Sequence, residues 1–228
     1  MDIIQQEFDG KTILVYPCGD VTAPAIVFLS FEPCGGRLIN ELAPGCKRFN
    51  LIEITGLRWE DELTPWKHPP LRRGDPGFGG NGYAFLMILS RLIVPHALSE
   101  IGLKPKHIAI AGYSLAGMFS LYAASRCDAF DAALSVSGSL WFDGLAEFIK
   151  EHGTSKNLRY VYLSLGQKEP MSKNPQLATV GEKTEELCDY YLSQGIKTDF
   201  EWNEGGHFDN ETRRIALAIS SYLGAFED

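Results

Sequence analysis

Short, continuous apolar runs alternate along the chain with longer stretches whose apolar residues recur every three or four positions. Ala25-Ile26-Val27-Phe28-Leu29 and Tyr160-Val161-Tyr162-Leu163-Ser164-Leu165 predict strands covered on both faces. Residues 49–54, 107–111, 132–136 and 198–202 read as further strands. The Asp9-Gly10 pair between residues 3–8 and 12–16 predicts an antiparallel hairpin at the start. Helical spacing follows at residues 83–101, where apolar positions nearly wrap the cylinder and predict a buried helix. It returns at residues 115–125 and 144–152. Val180, Thr184, Leu187 and Tyr191 share one later helical face, and Ile215, Ile219, Tyr222 and Phe226 share the last.

An antiparallel start followed by alternating strands and helices predicts an α/β fold: a mostly parallel central sheet with helices on both faces. No repeat, low-complexity run or linker interrupts the pattern. One domain over residues 1–228, without a separate cap domain, is the expectation. Residues 56–82, rich in proline and glycine, read as one long connection.

Composition narrows the class. A net charge of -8 speaks against nucleic acid or an anionic membrane surface as partner. No stretch reads as long and apolar enough to span a bilayer. The first residues have neither a basic nor an apolar segment of the signal-peptide kind, so a cytoplasmic location is expected. Cys18, Cys34, Cys46, Cys127 and Cys188 are odd in number, with neither zinc spacing nor a C-x-x-C pair. Free thiols are the expected state, with no metal site and no cofactor.

Chemistry concentrates at Gly112-Tyr113-Ser114-Leu115-Ala116-Gly117, directly after Ile108-Ala109-Ile110-Ala111. A strand that runs through a small residue and a serine into a helix makes a sharp turn. The turn lifts the hydroxyl clear of the backbone and aims the next N–H at a developing oxyanion. Ser114 is thus the candidate nucleophile. Cys34, beside a Gly-Gly pair, is a competing one without a strand-to-helix turn.

A serine nucleophile needs a base and a group to orient that base, supplied here by loops after later strands. Of the five histidines, His207 in Glu204-Gly205-Gly206-His207-Phe208 follows the last strand and precedes the last helix. His96, His107 and His152 fall within or at the ends of elements, and His68 lies in the long connection. Glu169 is the carboxylate after the penultimate strand and the candidate acid. Asp209 or Glu204 could take its place, or a backbone carbonyl could support a Ser–His pair. For the oxyanion, Leu115 supplies one N–H. The loop after residues 25–29 supplies the other from Phe31 or Glu32, because Pro33 has none.

Gly112-Tyr113-Ser114-Leu115-Ala116-Gly117, Ser137-Gly138-Ser139-Leu140-Trp141-Phe142 and Leu163-Ser164-Leu165-Gly166-Gln167-Lys168-Glu169 together resemble an esterase family of α/β-hydrolases. That family includes esterase D and the enterochelin (ferric siderophore) esterases. Glu62-Leu63-Thr64-Pro65-Trp66 and Gly206-His207-Phe208 are similar to segments of its members. The resemblance covers roughly residues 25–225. It implies an α/β-hydrolase fold, with Ser114 as nucleophile, His207 as base and Glu169 as acid. Ala116 stands where glycine is commoner. The chain leaves no room for the N-terminal domain of enterochelin esterases, which turns the expectation away from a siderophore substrate.

The expected partner is a small-molecule ester, cleaved through an acyl-enzyme; the oligomeric state is left open. Trp66, His68, Arg72 and Arg73 are candidate substrate contacts, because basic and aromatic groups gather there in an acidic chain. Trp141 is a candidate wall of the acyl pocket. A thioesterase or peptidase with the same three residues, or a hydrolase-fold protein that binds without turnover, remains an alternative.

Overall fold

Asp9 at φ 50° and Gly10 at φ 71° close the hairpin between β1 (Ile4–Phe8) and β2 (Lys11–Tyr16). Two successive left-handed residues are what a two-residue hairpin turn requires, and Phe8 lies opposite Lys11. The chain continues through β3 (Ala25–Leu29), α1 (Gly35–Glu41), β4 (Asn50–Thr55) and α2 (Trp59–Glu62). A two-residue ladder, β5 (Lys67–His68) with β6 (Phe78–Gly79), precedes α3 (Gly82–Ile88) and α4 (Val94–Glu100). Then follow β7 (Ile108–Tyr113), α5 (Leu115–Arg126), β8 (Ala132–Val136), α6 (Leu145–His152) and β9 (Tyr160–Gly166). The last elements are α7 (Pro175–Ala178), α8 (Val180–Ser193), β10 (Lys197–Asn203) and α9 (Glu211–Ala225). This computed structural model describes residues 3–42, 46 and 48–226.

Eight strands form one sheet in the order β1-β2-β4-β3-β7-β8-β9-β10. The pairs β1–β2 and β2–β4 are antiparallel, and every pair from β4 to β10 is parallel. The fold class read from the pattern is the one observed. Strand alternation divides the core in two. Ala25, Val27 and Leu29 join the layer filled from α3 to α6 and α8, whereas Ile26 and Phe28 meet Leu38 of α1 and Ile215 and Ile219 of α9. Parallel strands bring the carboxyl ends of β3, β7, β9 and β10 to one edge, where their loops converge.

Two expectations about residues 83–101 are corrected. The helix is covered on one side only: Phe85, Leu86, Leu89, Ile93, Val94 and Ala97 are buried, while Tyr83 and Leu92 are about half exposed. By length and composition Gly82–Glu100 is also apolar enough to cross a membrane, at a mean hydropathy of 1.3, although its buried stripe packs on the sheet. Between α3 and α4 the chain makes a π-turn, in which the Val94 N–H reaches back to Leu89 O. Pro95 cannot donate to the carbonyl four residues before it, and the wider turn accommodates that loss.

The connection 56–82 is ordered by charge. Lys11 Nζ lies 3.0 Å from Glu62 Oε1, with both side chains 7% exposed. Glu62 also accepts the Arg58 N–H and guanidinium. Burial opposes the charge of Glu62, yet these donors outweigh it and hold its carboxyl below the ordinary range. Lys11→Met leaves that carboxylate with Arg58 alone. It should lower the unfolding free energy by about 3 kcal/mol, read as a reduced urea midpoint at unchanged slope. A change below about 0.5 kcal/mol would rank the pair with solvated surface pairs.

Candidate active site

Ser114 occupies a strained turn between β7 and α5, at φ 58° and ψ −121°. A non-glycine residue reaches this region only where its surroundings dictate it. They do so here because α5 leaves the strand at very close range. A Cβ on Gly112 would lie 2.5 Å from the backbone carbon of Ala116. Ala116 is fully buried in this contact, so its methyl is the filled side of the approach and Gly112 the vacant one.

The three residues singled out in the sequence meet. His207 Nε2 lies 3.0 Å from Ser114 Oγ, and His207 Nδ1 lies 2.7 Å from Glu169 Oε2. A carboxylate on Nδ1 assigns the ring proton to that nitrogen and leaves Nε2 as acceptor toward the serine. Glu169 begins a short 3-10 turn, Glu169–Met171, just past β9, and its side chain is 6% exposed. Burial opposes its charge, but the His207 hydrogen bond and charge and the Gly166 N–H outweigh that opposition. The carboxyl is therefore held below its usual value of 4.5.

Neither alternative carboxylate hydrogen-bonds His207 among the described residues. Asp209 Oδ2 accepts the Gly206 N–H at 2.8 Å and ties the histidine loop to itself. Glu204 offers its backbone carbonyl to Arg214. Cys34, the competing nucleophile, has its thiol pushed up to about 12 by burial and by the charge of Glu53, which leaves it protonated.

Several residues of this network escaped sequence reasoning. Arg214, 1% exposed on α9, donates to Glu169 Oε1 (3.3 Å), Ser137 Oγ (2.9 Å), Tyr113 Oη (3.3 Å), Glu204 O (2.7 Å) and Gly206 O (2.9 Å). It thus joins the acid to the loop that carries the histidine. Tyr113, kept protonated by burial with its pKa up to about 12, donates to His207 O at 2.5 Å. Ser139 brings its hydroxyl to 3.3 Å from Ser114 Oγ and its N–H to Ser114 O at 3.0 Å. In the sequence Arg214 is one of two adjacent arginines before Ile215, and nothing there marks it as the buried one. Tyr113 and Ser139 stood inside quoted motifs without an assigned role.

Two clefts open on Ser114. One, of about 370 Å³, lies between the loop after β3 and α9 and is lined by Phe31, Glu32, Arg37, Tyr113 and Thr212 among others. The other, of about 590 Å³, is lined by Leu71, Arg72, Phe78, Leu115, Trp141, Met171 and Val180, with Lys168 beside Glu169. Three exposed apolar side chains stand around their shared mouth: Phe31 (68%), Met171 (75%) and Phe208 (82%). Leu115 lies at the first position of α5, where an N–H has no acceptor within the helix. Phe31 and Glu32 both border the smaller cleft. A separate hollow of about 600 Å³, lined by Asp20, Arg48, Lys106 and His107, lies by the opposite strand ends. Among the described residues no cluster of three His, Cys, Asp or Glu side chains is arranged to hold a metal ion.

The candidate substrate contacts fall in different places. Arg72 of the long connection and Trp141 after β8 line the larger cleft. Trp66 does not: its Nε1 donates to Asp143 O and its ring packs on Phe142 and Phe148. His68 is likewise consumed by structure, with Nδ1 on Pro69 O at 2.6 Å and Nε2 facing Asp143 and Gln176. Arg73 is exposed and borders neither cleft. The rings of this segment pack on one another and on Phe142 and Phe148, whereas Lys67, Arg72 and Arg73 are exposed.

The fold has known counterparts. The fold matches the siderophore hydrolase EstA from Aspergillus nidulans at TM-score 0.75 and 19% identity, over 99% of this chain and 94% of that one. It matches an IroE-like serine hydrolase from Shewanella oneidensis at TM-score 0.80 and 16% identity, over 100% of this chain and 81% of that one. The chain therefore has the α/β-hydrolase fold, and the resemblance expected from its motifs is present in three dimensions. In sequence it is similar to the uncharacterized protein YbbA of Bacillus subtilis, 27% identical over 142 residues. That match covers 61% of this chain and 57% of the relative. No family model matches the sequence.

The depressed carboxyl of Glu169 has a consequence for stability. A group whose native pKa is lowered stabilises the fold above its ordinary value, and the contribution is lost as pH falls through the native one. Urea titrations should therefore give a stability gap between wild type and Glu169→Gln that narrows as pH is lowered from neutrality through the carboxylate range. A constant gap would mean that Glu169 is not held ionised.

Proposed function

We propose that this chain is a serine esterase that cleaves a carboxylic ester of a small molecule through an acyl-enzyme on Ser114. The observation that carries the reading is the unbroken hydrogen-bond path from a strained serine through His207 to a shielded carboxylate. Ser114 Oγ attacks the ester carbonyl while its proton passes to His207 Nε2. Glu169 stays ionised and stabilises the imidazolium. Negative charge grows on the carbonyl oxygen, facing the Leu115 N–H and that of Phe31 or Glu32. His207 then protonates the departing alcohol. A water molecule yields a proton to the same nitrogen, adds to the acyl carbon, and frees both the acid and Ser114.

The names of the structural counterparts, a serine hydrolase and a siderophore hydrolase, support ester cleavage as the reaction class. The Aspergillus protein is matched over 94% of its length, so the compactness of this chain does not argue against a siderophore ester. The apolar lining of the larger cleft, with Arg72 and Lys168 at its border, favours an organic group of modest size.

The purified protein should hydrolyse short-chain p-nitrophenyl esters, and a fluorophosphonate should label Ser114. Ser114→Ala should remove at least about two decades of rate. Absence of both turnover and labelling in the wild type would reject the reading. Glu169→Gln should cost far more activity than Asp209→Asn, since only the former carboxylate touches the imidazole. The reverse order would reassign the acid.

A further inference from the structure

Resting on the serine-esterase reading of Ser114, we infer that Glu53 is the positioning residue that holds the oxyanion loop in shape. Glu53 stands on β4 opposite Phe28 of β3 and is fully buried. Among the described residues no ion pair reaches it; instead four donors converge on its two oxygens. Oε1 accepts the Ser30 hydroxyl at 2.8 Å and the Cys34 N–H at 2.7 Å. Oε2 accepts the Gly35 N–H at 3.0 Å and the Tyr16 hydroxyl at 3.1 Å.

Three of these donors belong to the segment that follows β3. Ser30 is its first residue, and its N–H is fixed separately on Ile54 O at 3.1 Å. Cys34 and Gly35 are its last, where α1 begins. One carboxylate thus pins both ends of a loop whose middle carries Phe31 and Glu32. Those two residues donate neither N–H to any group among the described residues, which leaves both free for a ligand oxygen in the smaller cleft. The chain is built to reach the carboxylate closely. A Cβ on Gly35 would lie 2.8 Å from Glu53 Oε2 and 2.6 Å from the Tyr16 ring.

The chemistry demands an acceptor without hydrogens. An ionised carboxylate takes four donors without conflict, whereas the amide of glutamine would point two hydrogens at two of them. Glu53→Gln keeps the volume but releases one end of the loop, so the free N–H groups lose their aim at the transition state. The bound ester, held by the clefts, is affected little.

The experiment compares wild type, Glu53→Gln and Ser30→Ala in p-nitrophenyl ester hydrolysis, with folding followed by urea titration. Folded Glu53→Gln should lose about tenfold to a hundredfold in kcat, the scale of a misplaced oxyanion donor. Its KM and the acid-side midpoint of its pH–rate profile should be unchanged, because the larger cleft, which holds the organic group, and the His207–Glu169 pair are intact. Ser30→Ala, which removes one of the four bonds, should lose about threefold to tenfold in kcat by the same argument. Wild-type kcat in folded Glu53→Gln, or a loss confined to KM, would overturn the inference. If Glu53→Gln does not fold, Ser30→Ala decides: wild-type kcat there overturns it. A wild type that neither turns over esters nor takes the fluorophosphonate would instead sink the esterase reading itself.

Discussion

Helix α5 departs from β7 so closely that a side chain on Gly112 would overlap the backbone of Ala116, and the geometry around Ser114 follows from this contact. With the helix axis fixed against the strand, the linking residue must turn through φ 58°. The loop after β8 closes over the same place. A Cβ on Gly138 would collide with Ser135 Oγ at 2.2 Å, and Ser139 hydrogen-bonds the serine through both N–H and hydroxyl. Backbone strain of this kind costs of order 1–3 kcal/mol and persists because packing on every side leaves no relaxed alternative. The buried residues of α5, from Leu115 to Ala124 without interruption, supply that packing.

Around this turn the fold uses two buried charges of opposite sign, each satisfied largely by loops. Glu53 gathers the donors after β3, and Arg214 supplies donors to Tyr113 at the end of β7 and to the loops after β8, β9 and β10. Loops at the carboxyl edge of a parallel sheet have few partners of their own, because the ladder ends beneath them. A buried charge with multivalent hydrogen bonding gives such segments a fixed point at low conformational freedom. The design carries risk, since a partly satisfied buried charge is costly, and Arg214 Nε has no hydrogen-bond partner among the described residues. Among the described residues, Glu169 is the group that hydrogen-bonds both Arg214 and the imidazole.

Much of this was readable from residue order. The sheet, the turn at Ser114 and the identity of His207 follow from local signals: a continuous apolar run, small residues about a serine, paired glycines before a histidine. Glu169 followed from its position after β9. What the sequence hid depends on side-chain direction in three dimensions. Glu53 sits in Asn50-Leu51-Ile52-Glu53-Ile54-Thr55, where a carboxylate inside a fully covered strand was a visible anomaly without a visible partner. Trp66 and His68 look like surface recognition residues in a loop of mixed charge. Their rings instead pack with Phe78, Phe142 and Phe148, because the connection folds into a small hydrophobic cluster of its own. The helix of 83–101 misled for a related reason: Tyr83 and Leu92 are apolar yet exposed, so periodicity overstated its burial.

The hydrogen bond between His207 and Ser114 spans 93 positions in the chain, and Arg214 reaches Tyr113 across 101. Contacts so distant in sequence form late, after parallel strands between them have paired. During synthesis the serine turn emerges from the ribosome long before the histidine and α9 exist. On the proposed esterase reading, the hydroxyl has no base until His207 reaches it. The order of the chain would then act as a timing device, in which Ser114 becomes reactive only after the loop before α9 is in place.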